Sequence, residues 1–187
     1  MALPDYAAIA KSFTFPGITK YRYSSTDESR RLVVENPATG KPITTIQAGD
    51  EKTVDEAVRA SQIAFDERWK PLTPKERSMY LFKCADALEA RLDEIATLLC
   101  LENGKPAQDA KTFDCQFVHL SFRYFASLVD KLPSEFYDRG PMYCTVFHEP
   151  YGVCAGILPF NWPPLHTGGK LAPALAAGES FGIEVVP

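Results

Sequence analysis

Apolar positions recur along this chain with two periods, and the switches between them mark its elements. Residues 31–48 ("RLVVENPATGKPITTIQA") hold two β-branched runs on either side of Asn36, Pro37 and Gly40, the pattern of a hairpin with a longer loop. From Thr53 the spacing becomes helical. Val54, Ala57, Val58, Ser61 and Phe65 fall on one face, and Thr53-Val54-Asp55-Glu56 has the hydroxyl and carboxylate of a capping box. Thr73-Pro74-Lys75-Glu76 repeats the device with proline at the first helical position, ahead of a core-facing stripe of Tyr80, Leu81, Cys84, Ala85 and Leu88.

Leu92, Ile95 and Leu99 carry a third helix, which Asn103-Gly104 ends in a left-handed cap. Phe113, Phe117, Leu120, Tyr124 and Leu128 carry a fourth, closed by Pro133. Both stripes have the spacing of faces that pack against neighbours and are expected in the core. After a polar turn at "YDRGP", residues 142–149 alternate weakly as a strand, and Tyr151 to Leu158 form a shorter apolar run expected to be fully buried. Pro163 and Pro164 suit a helix's first turn, so "PPLHTGGKLAPALAAG" reads as a helix capped by Gly178, bent or tightly packed at Gly168, Gly169 and Pro173.

Composition narrows the class. The 187 residues, 45% of them hydrophobic, suffice for the core of one domain. Lys and Arg number 20 against 24 Asp and Glu, a net charge of -4, which leaves no basic footprint for nucleic acid. The runs around Asp50–Glu56 and Asp66–Lys70 read as solvated helix faces. No run approaches the roughly 18 apolar residues of a membrane span, and Ala7 to Ala10 is too short for a signal-peptide core. A cytoplasmic protein without membrane association is expected. Cys84, Cys100, Cys115, Cys144 and Cys154 are odd in number, lack metal-like spacing and sit among apolar neighbours, so reduced, mostly buried thiols and no metal site are expected.

Residues 153–177 spell strand, short loop and helix, the half-unit of a doubly wound sheet, in which ligands bind at the carboxyl ends of the strands. Asn161 falls there, within "GILPFNWPP", in a loop stiffened by Pro159 and Pro163. An amide N–H donates without titrating, and a donor about 3 Å from a developing alkoxide is worth roughly 3–4 kcal/mol to a transition state. A turn-stabilising Asn is the commoner use of such a residue. His119, His148 and His166 have no carboxylate or thiol at a spacing that makes a dyad, and read as satisfied structural or exposed side chains. No carboxylate pair is recommended for acid–base work, and no GxGxxG occurs.

Five blocks, "ENPATGKPI", "TVDEAVRASQIAF", "LENGKP", "HEPYGVCAGILPFNWP" and "GKLAPALAAG", resemble in their order the amino-terminal blocks of the NAD(P)-dependent aldehyde dehydrogenases, over about residues 31–178. The resemblance implies an α/β architecture: an incomplete aldehyde dehydrogenase-like fold, with amino-terminal helices and part of a Rossmann-like parallel sheet. It divides the chain into an amino-terminal arm (1–30), a helical and hairpin part of the cofactor-binding domain (31–141), a strand of an oligomerisation sheet (142–150) and the first strand-loop-helix of the Rossmann-like sheet (151–187).

The same resemblance implies oxidation of an aldehyde to a carboxylic acid with NAD or NADP, through a Cys thiolate and a Glu-activated water. Asn161 matches the family's catalytic oxyanion donor. Ile157, Leu158, Pro159 and Phe160 match residues lining the cofactor crevice, and Lys170 a lysine beside the site. The family places its nucleophilic Cys, general base Glu, cofactor-binding Lys and Gly-rich turn in later blocks, whereas here the residues after Gly178 read "ESFGIEVVP". Inactivity of this chain alone, weak or no cofactor binding and marginal stability are therefore expected, with Ile183 to Val186 as a strand beside the first. The strand at 142–149 would be an unpaired edge, so a homo-oligomer or association through that edge is expected. The alternative is a noncatalytic subunit that docks onto a full-length aldehyde dehydrogenase.

Overall fold

The chain's two periods of apolar residues fold into paired strands and packed helices in the order the sequence implies. The computed structural model describes Ser29 and residues 31–185, so the expected amino-terminal arm, apart from Ser29, and Val186 lie outside the described residues. β1 (Arg31–Asn36) and β2 (Lys41–Gln47) pair antiparallel. Between them Asn36 Oδ1 accepts from the Ala38 amide at 2.9 Å, and Gly40 takes the positive φ that closes the turn.

α1 (Glu51–Ala64) starts earlier than the capping box at Thr53 suggests. Its cap is Asp50, whose Oδ1 accepts from the Thr53 amide at 2.8 Å and from the Thr53 hydroxyl at 2.7 Å, so that hydroxyl is already engaged inside the first turn. The helix runs on into a π turn, Phe65–Trp69, and of its expected apolar face only Phe65 is buried. α2 (Pro74–Glu89) has the expected capping box: Thr73 Oγ1 accepts from the Glu76 amide, and Glu76 Oε2 accepts from the Thr73 amide. Hydrogen bonds from Thr73 to the Glu76 carboxylate hold its pKa below the usual value. Leu81 and Ala85 of the stripe are buried, whereas Tyr80 and Cys84 face outward.

α3 (Leu92–Asn103) ends as expected at Gly104, with φ 78°. α4 (Cys115–Leu128) is entered through Ala107–Asp109 and a π turn at Ala110–Asp114. Its inward face is not the expected one. Val118, His119, Ser121, Phe122 and Ala126 are buried, while Phe113, Phe117, Leu120, Tyr124 and Leu128 are exposed. Both faces are apolar, so helical spacing fits either. The face carrying Ser121 and Ala126 is the one a neighbour can approach closely.

That neighbour is α5 (Pro163–Ala177), capped by Gly178 at φ 106° despite the internal Pro173. The core lies where α2, α4 and α5 meet, at Leu81, Ala85, Val118, Phe122, Ala126 and Ala172. Ser78 Oγ donates to the Ala126 carbonyl at 2.7 Å across it. A second cluster joins Ala96 and Leu99 to Ala110 and Cys115.

β3 (Glu135–Asp138) takes residues expected in a polar turn, because four residues are too few for alternation to show. It pairs antiparallel with β4 (Tyr143–Val146), so β4 is not the unpaired strand expected from sequence. Both strands are exposed throughout, with Phe136 stacked on Tyr143 at 5.5 Å. β5 (Val153–Leu158) and β6 (Ser180–Val185) pair in parallel, connected by α5. β5 is not fully buried as expected: Leu158 is covered, but Ala155 and Ile157 lie on an open face, since the described residues cover only one side of the pair. The buried Glu179 carboxylate accepts from the Tyr151 and Gly152 amides at 3.0 and 2.7 Å, fixing the start of β5.

Candidate functional site

Strand β5 stops at Leu158 because Pro159 cannot continue the ladder, and α5 starts at Pro163, whose missing N–H costs a first turn nothing. The link between them, residues 159–162, emerges at the carboxyl end of the parallel pair, the end at which α/β sheets bind ligands. Asn161 stands exposed in this link, and among the described residues its side-chain amide has no hydrogen-bond partner.

The backbone of the link is held from α3. Asn103 Nδ2 donates to the Phe160 carbonyl at 3.1 Å and to the Asn161 carbonyl at 3.3 Å. Two residues on, the Lys105 ammonium lies 4.9 Å from the centre of the Trp162 ring and 2.6 Å from Asp114 Oδ2. Asp114 is almost fully buried, so its charge has a close partner in low-dielectric surroundings. Phe113 meets Trp162 edge-on at 6.0 Å between ring centres. Lys105, Pro106, Asp109, Phe113, Asp114 and Trp162 together line an open depression.

The candidate cofactor residues divide by exposure. Ile157 is 74% exposed and Phe160 62%, whereas Leu158 is 1% exposed and its side chain faces the core. Pro159 is exposed, as is Lys170 on α5. Ile157 and Phe160 thus offer open apolar surface. The link carries no basic side chain that would hold a phosphate.

Four of the five thiols sit in surroundings that favour the protonated form, Cys84 among them through burial. Burial raises the pKa of Cys100 and Cys154, the latter also through the Glu179 carboxylate, and it pushes the Cys115 thiol up to about 11. Cys84 and Cys144 are exposed and only Cys115 is fully buried, so the thiols are less buried than expected; all five are free. His119 and His166 are also less well satisfied than expected, with His119 Nδ1 and His166 Nε2 buried without a partner among the described residues. His148 is exposed. Among the described residues no three His, Cys, Asp or Glu side chains cluster as a metal site, and no helix is long and apolar enough to cross a membrane.

Sequence reasoning gave Asn103-Gly104 only a helix-ending role, and it put Phe113 in the core. The left-handed cap is where the sequence places it, and what it does not show is that the turn brings Asn103 to the Phe160–Asn161 backbone and Lys105 to Trp162.

A parallel strand-helix-strand unit is the building block of a doubly wound α/β fold. Residues 23–182 match the aldehyde dehydrogenase family, and the chain belongs to that family. An aldehyde dehydrogenase of Monascus ruber is 58% identical over 166 residues, covering 89% of this chain and 33% of the relative. Retinal dehydrogenase 2 of Homo sapiens is 35% identical over 165 residues, covering 87% of this chain and 32% of the relative. The NAD+ complex of an aldehyde dehydrogenase from Bacillus cereus superposes with a TM-score of 0.79 at 31% identity, over 82% of this chain and 32% of that one. The chain thus spans about a third of the length of these relatives, and its fold is part of theirs.

Proposed function

We propose that residues 31–185 form the oxyanion side of the active centre of an NAD(P)-dependent aldehyde dehydrogenase, which converts an aldehyde, NAD(P)+ and water to a carboxylic acid. The observation that carries this is Asn161: an amide without a protein partner, exposed at the carboxyl end of β5, in a link whose backbone is tied to α3. Its N–H donates to the oxygen that becomes negative when a thiolate adds to the carbonyl, and it does so without a change of protonation. Bound NAD(P)+ supplies the hydride acceptor. Ile157, Pro159 and Phe160 form an apolar wall for the cofactor ring, with Leu158 beneath them as its support.

The nucleophile lies outside this segment: the surroundings of Cys84, Cys100, Cys115 and Cys154 favour the protonated form, and Cys144 sits on the β3–β4 hairpin, not in the link that carries Asn161. The 187 residues alone therefore do not turn over. Activity belongs to a longer polypeptide or to an assembly that adds a thiol and a general base. The free cysteines support a reducing, cytoplasmic setting.

A second role is favoured by the exposed hairpin β3–β4, which displays Phe136, Tyr137, Tyr143 and Val146. Its free edges and aromatic face suit association with another copy or with a full-length aldehyde dehydrogenase.

The test is a dehydrogenase assay over a broad aldehyde panel with NAD+ and NADP+, on a full-length polypeptide carrying this segment and on the 187-residue chain. Turnover by the first and none by the second is expected. Turnover by the short chain contradicts the proposal.

A further inference from the structure

We propose that Asn103 is a positioning residue for the oxyanion amide: its side-chain NH2 holds the Phe160–Asn161 backbone so that the Asn161 side chain stays aimed out of the carboxyl end of β5. The inference rests on the oxyanion role proposed for Asn161. One donor group reaches two successive carbonyls, at 3.1 and 3.3 Å. Both lie where the chain has left the β5 ladder and not yet entered α5, and among the described residues no backbone hydrogen bond reaches either one. Asn103 therefore supplies what secondary structure does not.

The residues that follow make the anchor rigid. Gly104 has φ 78°, and a Cβ there would stand 3.0 Å from Pro37 Cγ, so a side chain at this turn would be strained. Lys105 then holds the Trp162 ring from above while paired with Asp114. Asn103 and Lys105, on either side of this turn, thus engage residues 160, 161 and 162.

Asparagine suits the task by its chemistry. Its amide offers two N–H hydrogens without charge, whereas an aspartate of the same size would turn lone pairs toward two carbonyls. An oxyanion donor acts only if it is held where charge develops, and a misplacement of about 1 Å costs on the order of 100-fold in rate.

The test compares Asn103→Asp and Asn103→Gln with Asn161→Ala in a full-length enzyme carrying this segment. It reads the single-turnover rate of NADH formation per titrated active thiol, the KM for aldehyde and the Kd for NAD+. Asn103→Asp is expected to lower the rate about tenfold or more with KM and Kd nearly unchanged. Asn103→Gln, which keeps the NH2, is expected to recover part of it, and Asn161→Ala to lose roughly 100-fold. An unchanged rate in Asn103→Asp beside a reduced one in Asn161→Ala overturns the positioning role and leaves the oxyanion role standing. An unchanged rate in Asn161→Ala overturns the oxyanion role itself. Loss of soluble enzyme in both Asn103 variants makes the residue structural, and that also overturns the proposal.

Discussion

Gly168 and Val118 bring α5 and α4 together backbone to backbone: a Cβ built on Gly168 would stand 2.9 Å from the Val118 Cα and 3.3 Å from the Ser121 side chain. Gly168→Ala should therefore overpack the helix pair and destabilise the chain by about 1–3 kcal/mol. At Gly169 the nearest atom is Phe117 Cε1 at 3.9 Å, which is ordinary contact. Gly169→Ala should be neutral or stabilise by about 0.5–1 kcal/mol through helix propensity. Urea midpoints check this: lowered for Gly168→Ala, unchanged or raised for Gly169→Ala.

The same contact shows why one face of α4 was misread from sequence. Phe113, Phe117, Leu120 and Tyr124 have helical spacing and large apolar area, but so do Val118, Phe122 and Phe125 on the opposite side. Periodicity cannot choose between two apolar stripes. The choice is made by Gly168 on another element, which packs only where α4 is narrow. The helix ends were legible where one local device decided them, as at Thr73–Glu76 and Gly104. At Asp50 and Thr53 two overlapping caps competed, and the sequence favoured the wrong one. In the functional link Asn161 was legible because its prolines and neighbours form a compact pattern. Asn103 and Lys105 were not, because their partners lie 57 residues further along the chain.

Lys105 is the close partner of a buried carboxylate. Its ammonium is 2.6 Å from Asp114, whose side chain is 3% exposed. Lys105→Met should leave that charge uncompensated and cost about 3–5 kcal/mol, and adding Asp114→Asn should restore most of the loss. Denaturation of the two single variants and the double variant checks the coupling.

Cys115 links stability to alkaline pH. Burial, reinforced by the Asp114 charge, raises its pKa from 9.0 to about 11 in the folded chain. The folded state then keeps a proton that the unfolded state gives up, so this contribution is complete below about pH 9 and is lost as pH rises to about 11. The loss should be about 2–3 kcal/mol. Cys115→Ala should flatten this part of the stability profile, measured by urea titration between pH 8 and 11.

The exposed stripe of α4 should drive association. Leu120 is 53% exposed and Tyr124 60%, in line with Phe113 and Phe117. Leu120→Lys with Tyr124→Lys should shift the chain toward monomer at micromolar concentration, with stability changed by only about 0.5 kcal/mol per site. Sedimentation velocity over a concentration series reads the outcome.

Asn161 carries the central claim. In a full-length enzyme built on this segment, Asn161→Ala should lower kcat by about 10²–10³-fold, roughly 3–4 kcal/mol of transition-state stabilisation, while the Kd for NAD+ stays within about threefold. A kcat within twofold of the parent, with the cofactor bound as before, would contradict the oxyanion role.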